Sequence, residues 1–320
     1  MSIESTQLAG AAGQLELLYS LPSTPEKTKP PLLFVHGSFC SANDYGFLLP
    51  YLARHGFASY AVSLRGHGAS ASQGWFGRMV LTSLDSWVAD VQVALRYVAE
   101  VHADAPPPVL AGHSLGGGVV QYLVTSSAQS KPAESAEPSP PALQLSGLIL
   151  LAATPLAGGS EIMTNWETIE APDGYLYPWS ERCVLKTIGQ VRKAFFSVET
   201  DDATVRTWLE KCKTAEESAR AGLSVHWRFG EADIILDALV GLKGSSTRVR
   251  KILCVAGGAD KLVPPKMVEG NLVEYELAGG DEREQCLKLV VEGSGHHVMM
   301  DAHWESCAQG IVNWLGGEEL

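Results

Sequence analysis

Short apolar runs that alternate with helical segments constrain this fold more than any other feature of the chain. Strands without a polar face are typical of a parallel sheet covered on both faces. The order of these segments therefore predicts an α/β fold with a mostly parallel sheet and helices on both faces. The predicted strands are 14–20, 32–36, 58–64, 109–111, 148–152, 251–256 and 287–291, and the predicted helices are 45–55, 84–101, 115–126 and 302–315.

Two segments interrupt this alternation. Residues 128–142 are rich in Ala, Ser, Pro and Glu, which is typical of a surface insertion. Between residues 156 and 247 the strand pattern fades and helical, aromatic-containing segments dominate. This stretch is too long for an ordinary connection. We predict a core formed by 1–155 and 248–320, with 156–247 inserted as a helical cap.

Composition limits the classes of partner and location. The 320 residues carry a net charge of −12, which argues against a nucleic-acid or anionic-membrane partner but does not identify one. The expected partner, a small-molecule substrate, follows from the candidate site residues below. There is no apolar run of 18 residues, no secretory signal and no metal-binding cysteine spacing. We therefore expect a cytoplasmic protein that needs no metal and no cofactor. Monomer and homodimer both stay open.

The segment around Ser114 predicts a nucleophile. It reads Gly-His-Ser-Leu-Gly from Gly112 to Gly116 and lies between a predicted strand and a predicted helix. A serine in this context occupies a sharp turn that exposes its hydroxyl group. The alternative, a serine in an ordinary tight turn, is disfavoured by partners that appear later in the chain.

A serine nucleophile needs a base, and the base needs an orienting acid. Asp260 follows one late strand, and His296 and His297 follow the next. Both loops lie at the carboxyl ends of strands, where parallel-sheet enzymes place their chemistry. Asp260 could also be a turn aspartate that bonds its own backbone. The residues alone leave the choice between the two histidines open.

The charge of a tetrahedral intermediate needs preorganised backbone donors. One expected donor is the N–H of Leu115, directly after the nucleophile. The second should come from the loop after an earlier strand, where the N–H of Ser38 is the first choice and that of Phe39 the second. Gly37 permits the turn that this requires.

The combination of motifs resembles the α/β-hydrolase superfamily, closest to its esterase, lipase-like and haloperoxidase-like branches with a helical cap. The resemblance implies Ser114, Asp260 and His296 as the triad, and it selects His296 over His297. Relatives often carry a structural Asp where this chain has Ser63. The segments that carry the likeness are Leu33–Ser38, Ser63–Ser70, Gly112–Gly117, Gly257–Pro264 and Gly293–Asp301.

Aromatic residues in the predicted cap and nearby loops indicate an apolar or aromatic substrate. The expected substrate-binding residues are Phe39, Trp75, Phe76, Trp179 and His297. The favoured function is hydrolysis of a carboxylic ester or lactone through an acyl-enzyme. One alternative is a natural-product tailoring enzyme that performs a lyase, cyclisation or acyl-transfer step. A ligand-binding, receptor-like protein is the other.

Overall fold

A computed structural model gives the fold of the chain. Two of the predictions above fall outside the residues that it describes: Trp179, and all but the first two residues of the expected insertion at 128–142. The described residues are 1–24, 26–129, 144–169, 185, 187–212, 218–243, 249–279 and 285–320.

Eight strands form one sheet in the order β1-β2-β4-β3-β5-β6-β9-β10. β2 is antiparallel to its two neighbours, and the other strands are parallel. Every predicted strand is present within two residues of its expected bounds. The strands are β1 (Glu4–Gly10), β2 (Gly13–Ser20), β3 (Leu32–Val35), β4 (Ser59–Val62), β5 (Val109–His113), β6 (Gly147–Leu151), β9 (Ile252–Gly257) and β10 (Cys286–Val291), with β7 (Leu242–Lys243) and β8 (Val249–Arg250) as a separate antiparallel pair.

Two groups of helices cover the sheet, as predicted. The helices are α1 (Leu48–Arg54), α2 (Gly74–Phe76), α3 (Leu84–Val101), α4 (Leu115–Gln129), α5 (Ser160–Thr168), α6 (Ile188–Phe195), α7 (Asp202–Thr207), α8 (Ala219–Ser224), α9 (Ala232–Ala238), α10 (Pro265–Ala278) and α11 (Trp304–Gly316). In one group, α1 packs on α11; in the other, α3 contacts α4, α4 contacts α9 and α9 contacts α10. Short 3-10 or π-helical turns span Ala42–Tyr45, Gly77–Leu81 and Trp208–Cys212.

Helix α3 shows why these segments form helices. Ser83 caps its first turn and forms a reciprocal pair with Ser86, which satisfies backbone N–H groups that have no helical partner. Trp87 and Val91 lie on its buried stripe, as the spacing predicts. The stripe ends one turn early, because Val101 at the carboxyl end is exposed.

The amino-terminal strand was missed by the sequence analysis. β1 pairs with β2 as a hairpin, and Gly13 in the turn has φ 121, a conformation that favours glycine. Most of β1 is exposed, and Leu8 is its one buried residue. An edge strand of this kind has no apolar run, so the pattern that found the other strands could not find it.

Helices α5 to α9 lie between β6 and β9 in the chain, within the predicted cap at 156–247. We call residues 156–247 the inserted segment. Its helix α9 contacts α4 and α10, whereas α6 and α7 contact one another. The division into core and cap stays a prediction.

Membrane crossing by a helix has no support in the described part of the chain, where no helix is both long and apolar enough to span a bilayer. The longest described helix, α3, carries Asp85, Asp90, Arg96 and Glu100.

Candidate active site

Ser114 lies on a strained turn between β5 and α4. Its φ is 51, in the left-handed region that non-glycine residues rarely adopt, and its side chain is partly exposed. Gly116 permits this turn, because a Cβ there would lie 2.3 Å from the carbonyl oxygen of His36. The backbone therefore presents a serine hydroxyl at the carboxyl end of the sheet, as the motif predicts.

The neighbouring strand holds this turn in place. The N–H of Ser114 donates to the Leu151 carbonyl at 2.9 Å, and the N–H of Thr154 donates to the Ser114 carbonyl at 3.0 Å. The Thr154 hydroxyl donates to the same carbonyl at 3.2 Å. These bonds tie the conformation of Ser114 to the end of β6, so the strain at φ is supported by the surrounding sheet.

Asp260 and His296 form a buried pair. Nδ1 of His296 lies 2.8 Å from Oδ2 of Asp260, and neither side chain has more than 2% of its surface exposed. The other carboxylate oxygen accepts the N–H groups of Leu262 and Val263 at 2.8 and 3.0 Å. Asp260 thus bonds its own turn and also His296. A proton on Nδ1 leaves Nε2 as the acceptor.

The loop with His296 is fixed beside the nucleophile turn. The Nε2 atom of His113 lies 3.1 Å from the His296 carbonyl oxygen, and the two rings are 4.8 Å apart. The hydroxyl of Ser114 makes no hydrogen bond to a described residue, so the serine–histidine contact is not formed in this structure. Such contacts are often long in unliganded enzymes and tighten when substrate binds.

His297 lies in a different environment from its neighbour. It is fully buried, stacks on Phe195 at 4.3 Å and contacts Trp208 at 5.2 Å, both in the inserted segment. Its Nε2 atom lies 3.5 Å from Sγ of Cys40 and 3.5 Å from Oδ1 of Asp44. Burial holds the pKa of His297 well below its usual range, so the imidazole is neutral. Of the two histidines, the structure joins His296 to Asp260.

The loop after β3 lies against the nucleophile. A Cβ added to Gly37 would be 2.8 Å from Cβ of Ser114. The N–H groups of Ser38 and Leu115 donate to no acceptor among the described residues. Two unpaired donors beside a partly exposed serine are the arrangement that an oxyanion requires. Phe39, which follows, has φ 63 and is therefore strained.

Several predicted substrate residues lie apart. Phe39 packs edge-on against Trp166 at 6.3 Å, and Trp166 packs against Phe195 at 5.7 Å. Phe195 stacks on His296 at 5.7 Å, so these rings form an aromatic wall beside the candidate base. Trp75 and Phe76 lie on the short helix α2 instead of in the expected loop, and they are 54% and 58% exposed.

Glu16 on β2 is a structural residue that the sequence analysis missed. Ser63 donates to its carboxylate at 2.7 Å, and the N–H of Ala69 donates to the same oxygen at 3.0 Å. The N–H of Ala42 donates to the Ser63 hydroxyl at 3.0 Å. A carboxylate from β2 therefore fills the region where Ser63 departs from the expected Asp. No local sequence signal places Glu16 there, because the contact joins residues 47 positions apart.

Comparisons with known proteins bear on the family and on the fold of the chain. The pattern that defines the Alpha/beta hydrolase family matches residues 32–309. The chain is 36% identical over 94 residues to a putative non-heme haloperoxidase of Mycobacterium phage D29, an alignment that covers 29% of this chain and 30% of that protein. It is 28% identical over 119 residues to the monoacylglycerol lipase of Mycolicibacterium smegmatis, which covers 37% of this chain and 41% of that one.

A solved structure resembles nearly the whole fold. A thermophilic esterase from Thermogutta terrifontis has a TM-score of 0.63 and 18% identity, with 98% of both chains covered. Likeness at this identity concerns the fold, and it confirms the expected α/β-hydrolase architecture. The two curated relatives are matched over less than half of their own length.

Proposed function

Because this chain belongs to the alpha/beta hydrolase family, we propose that it is a serine hydrolase that cleaves a carboxylic ester or lactone of an apolar or aromatic small molecule. The observation that carries the proposal is the buried bond between Asp260 and His296, beside the strained turn of Ser114. Esterase and lipase names among similar proteins support the hydrolase class.

The proposed reaction uses the triad in two steps. Ser114 Oγ attacks the carbonyl carbon while Nε2 of His296 takes its proton, and Asp260 stabilises the resulting imidazolium. The C–O bond to the leaving alcohol breaks, and the imidazolium returns the proton to that oxygen. Water then repeats the sequence on the acyl-enzyme and releases the acid. The N–H groups of Ser38 and Leu115 hold the oxyanion in both steps.

The proposed substrate class follows from the walls of the site. Phe39 comes from the core, whereas Trp166 and Phe195 come from the inserted segment. Flat aromatic surfaces favour apolar or aromatic groups. We propose that the inserted segment acts as a cap and supplies this wall over the nucleophile.

A fluorophosphonate probe tests the nucleophile. The wild-type protein should be labelled, and Ser114→Ala should not, because the probe phosphonylates an activated serine. Ser127→Ala, at a partly buried position far along α4, is the matched control and should be labelled normally. Folded wild-type protein that resists the probe would exclude a serine hydrolase.

A substrate panel separates the reaction classes. Para-nitrophenyl esters and aryl lactones should be hydrolysed by the wild-type protein and not by Ser114→Ala. Labelling by the probe without turnover of any ester or lactone would instead favour a lyase, cyclisation or acyl-transfer step on the same fold.

A further inference from the structure

A buried polar cluster lies directly behind the candidate active site and has no part in the proposed reaction. Cys40, Asp44 and His297 are fully buried, and one ligand-type atom of each lies within 4.8 Å of the others. Cys40 belongs to the loop of the proposed oxyanion donor Ser38. His297 directly follows the proposed base, His296. The cluster therefore touches both loops on which catalysis would depend.

The hydrogen bonds of the cluster have a consistent direction. The Cys40 thiol donates to the Ser38 carbonyl at 3.1 Å. The thiol also hydrogen-bonds the Asp44 carboxylate, and its sulfur lies 3.5 Å from Nε2 of His297. The neutral imidazole carries its proton on Nε2, because this atom faces the Asp44 carboxylate at 3.5 Å and a carboxylate only accepts. The opposite nitrogen, Nδ1, has no partner among the described residues and needs no proton.

On this geometry, and on the proposed function, we propose that Cys40 and His297 are positioning residues that hold the oxyanion loop in register with the catalytic histidine. The chain of contacts runs from the peptide of His297 through its ring and the Cys40 sulfur to the carbonyl of Ser38. Phe39 at φ 63 lies within this short loop, so the loop needs an external contact to keep its strained shape.

The inserted segment shields the contacts between His297, Cys40 and Ser38 from water. Phe195 stacks on the His297 ring, and its carbonyl accepts the N–H of His297 at 2.9 Å. The indole N–H of Trp208 donates to Asp44 at 2.7 Å. Hydrogen bonds in such a dry environment resist competition and hold geometry better than exposed ones. The inserted segment thus acts on the oxyanion loop through His297 and Asp44.

The alternative hypothesis is that the cluster binds a metal ion, because zinc accepts a thiolate, an imidazole and a carboxylate as ligands. Asp44 already accepts from Trp208 and from the N–H of Ser41 at 2.8 Å. Each of the three side chains thus has protein partners. The positioning role of Cys40 and His297 predicts that the purified protein is active without bound metal.

The decisive variant is Cys40→Ala, which removes the contacts of the Cys40 sulfur with His297 and Ser38 and leaves the proposed triad intact. We expect kcat for a para-nitrophenyl ester to fall roughly tenfold with KM nearly unchanged, less than the loss of about 10²–10³-fold for a deleted oxyanion donor. Binding of a trifluoromethyl ketone, whose adduct places an oxyanion in the hole, should weaken by a similar factor. Binding of the carboxylate product, which forms no oxyanion, should not change.

Matched variants separate positioning from mere stability. Cys254→Ala removes an equally buried thiol from β9 and should keep full kcat. Cys40→Ser retains a donor towards Ser38 and should recover part of the lost kcat, and His297→Gln should reproduce the loss of kcat seen for Cys40→Ala. These two variants also serve if Cys40→Ala does not fold.

Three outcomes would overturn the proposal. One is a Cys40→Ala protein with a lower melting temperature but unchanged kcat and ketone affinity. Another is equal loss of kcat in Cys254→Ala. The third is stoichiometric metal in the active wild-type protein, with activity lost on chelation. Failure of the proposed function is distinguishable, because the wild-type protein itself would then resist the fluorophosphonate probe.

Discussion

At the scale of single residues, the candidate site depends on how one carboxylate divides its bonds. Asp260 gives one oxygen to two backbone N–H groups and the other to Nδ1 of His296. The first set of bonds fixes the carboxylate, and the last fixes the tautomer of the ring. The turn aspartate and the candidate catalytic acid are thus the same residue, and the two interpretations of Asp260 are compatible.

Asp260→Asn tests the tautomer. The backbone N–H groups orient the amide with its oxygen towards them and its NH2 towards His296, which moves the ring proton to Nε2 and removes the base. We expect kcat/KM for an ester to fall about 10⁴-fold while the fold is retained. Ester kinetics and circular dichroism together measure this. A loss of less than tenfold in a folded variant would contradict the assignment of Asp260.

Asp44 predicts a pH dependence of stability. Burial raises its pKa from 3.8 to about 6. Between these pH values the folded state keeps a proton on Asp44 that the unfolded state releases. The contribution of Asp44 to the free energy of unfolding is therefore full below about pH 4 and is lost as the pH rises to about 6. The groups that face it are Cys40, Ser41, Trp208 and His297.

The measurement is the free energy of unfolding in urea between pH 4 and pH 7. Relative to Asp44→Asn, the wild-type protein should lose stability as the pH rises from about 4 to 6, with no further relative change above that. Asp201→Asn, at an exposed capping position, is the control. The pKa of Asp201 is lowered, so relative to this variant the wild-type protein should not lose stability between pH 4 and pH 6. A flat difference between wild type and Asp44→Asn would refute the raised pKa.

At the scale of elements, Asp301 joins the inserted segment to the histidine loop. One oxygen accepts the N–H of Ser197 at 2.7 Å and that of Gly295 at 3.1 Å, and the other accepts the Ser197 hydroxyl at 2.7 Å. Gly295 directly precedes His296, and Ser197 follows the end of α6. The corner after α6 is therefore bonded to the loop that bears His296 and is expected to stay fixed if the rest of the inserted segment moves.

Asp301→Asn should loosen this corner. An amide places an NH2 against donors that had a carboxylate, and buried hydrogen bonds to charged groups contribute about 1.5–3 kcal/mol each. We expect a fall of about 2–4 kcal/mol in the free energy of unfolding and faster hydrogen exchange at the amides of Ser197 and Gly295. Ser197→Ala, which removes one bond to Asp301 and the 3.3 Å bond between the Ser197 and Thr200 hydroxyls, should cost about 1 kcal/mol. Unchanged exchange at both amides would contradict the coupling.

At the scale of the whole molecule, the aromatic wall exists only where core and inserted segment meet. Phe39 follows β3, Trp166 lies on α5 and Phe195 ends α6, so more than 150 positions separate the first from the last. Phe39 was an expected substrate-binding residue, and Trp166 and Phe195 belong to the aromatic residues of the predicted cap. Only the fold shows that these three face one another, whereas Trp75 and Phe76 are largely exposed.

Trp166→Ala tests the wall as a substrate surface. We expect KM for an aryl ester to rise about fivefold, equivalent to about 1 kcal/mol of aromatic contact, with little change for an acetyl ester of a small alcohol. Trp227→Ala, which removes an exposed tryptophan from the same segment, is the control. Equal effects on both esters would mean that Trp166 supports the segment and does not contact the substrate.

The sequence by itself determined seven of the eight strands of the main sheet in their order along the chain, the turn at Ser114 and the two loops that bear Asp260 and His296. These features are local, because apolar runs, glycines and loops after strands are written in adjacent residues. Contacts between distant positions could only be decided by the tertiary structure. Among them are the carboxylate that Glu16 supplies to Ser63 and the burial of His297 beside Cys40, which depend on the packing of separate loops in three dimensions.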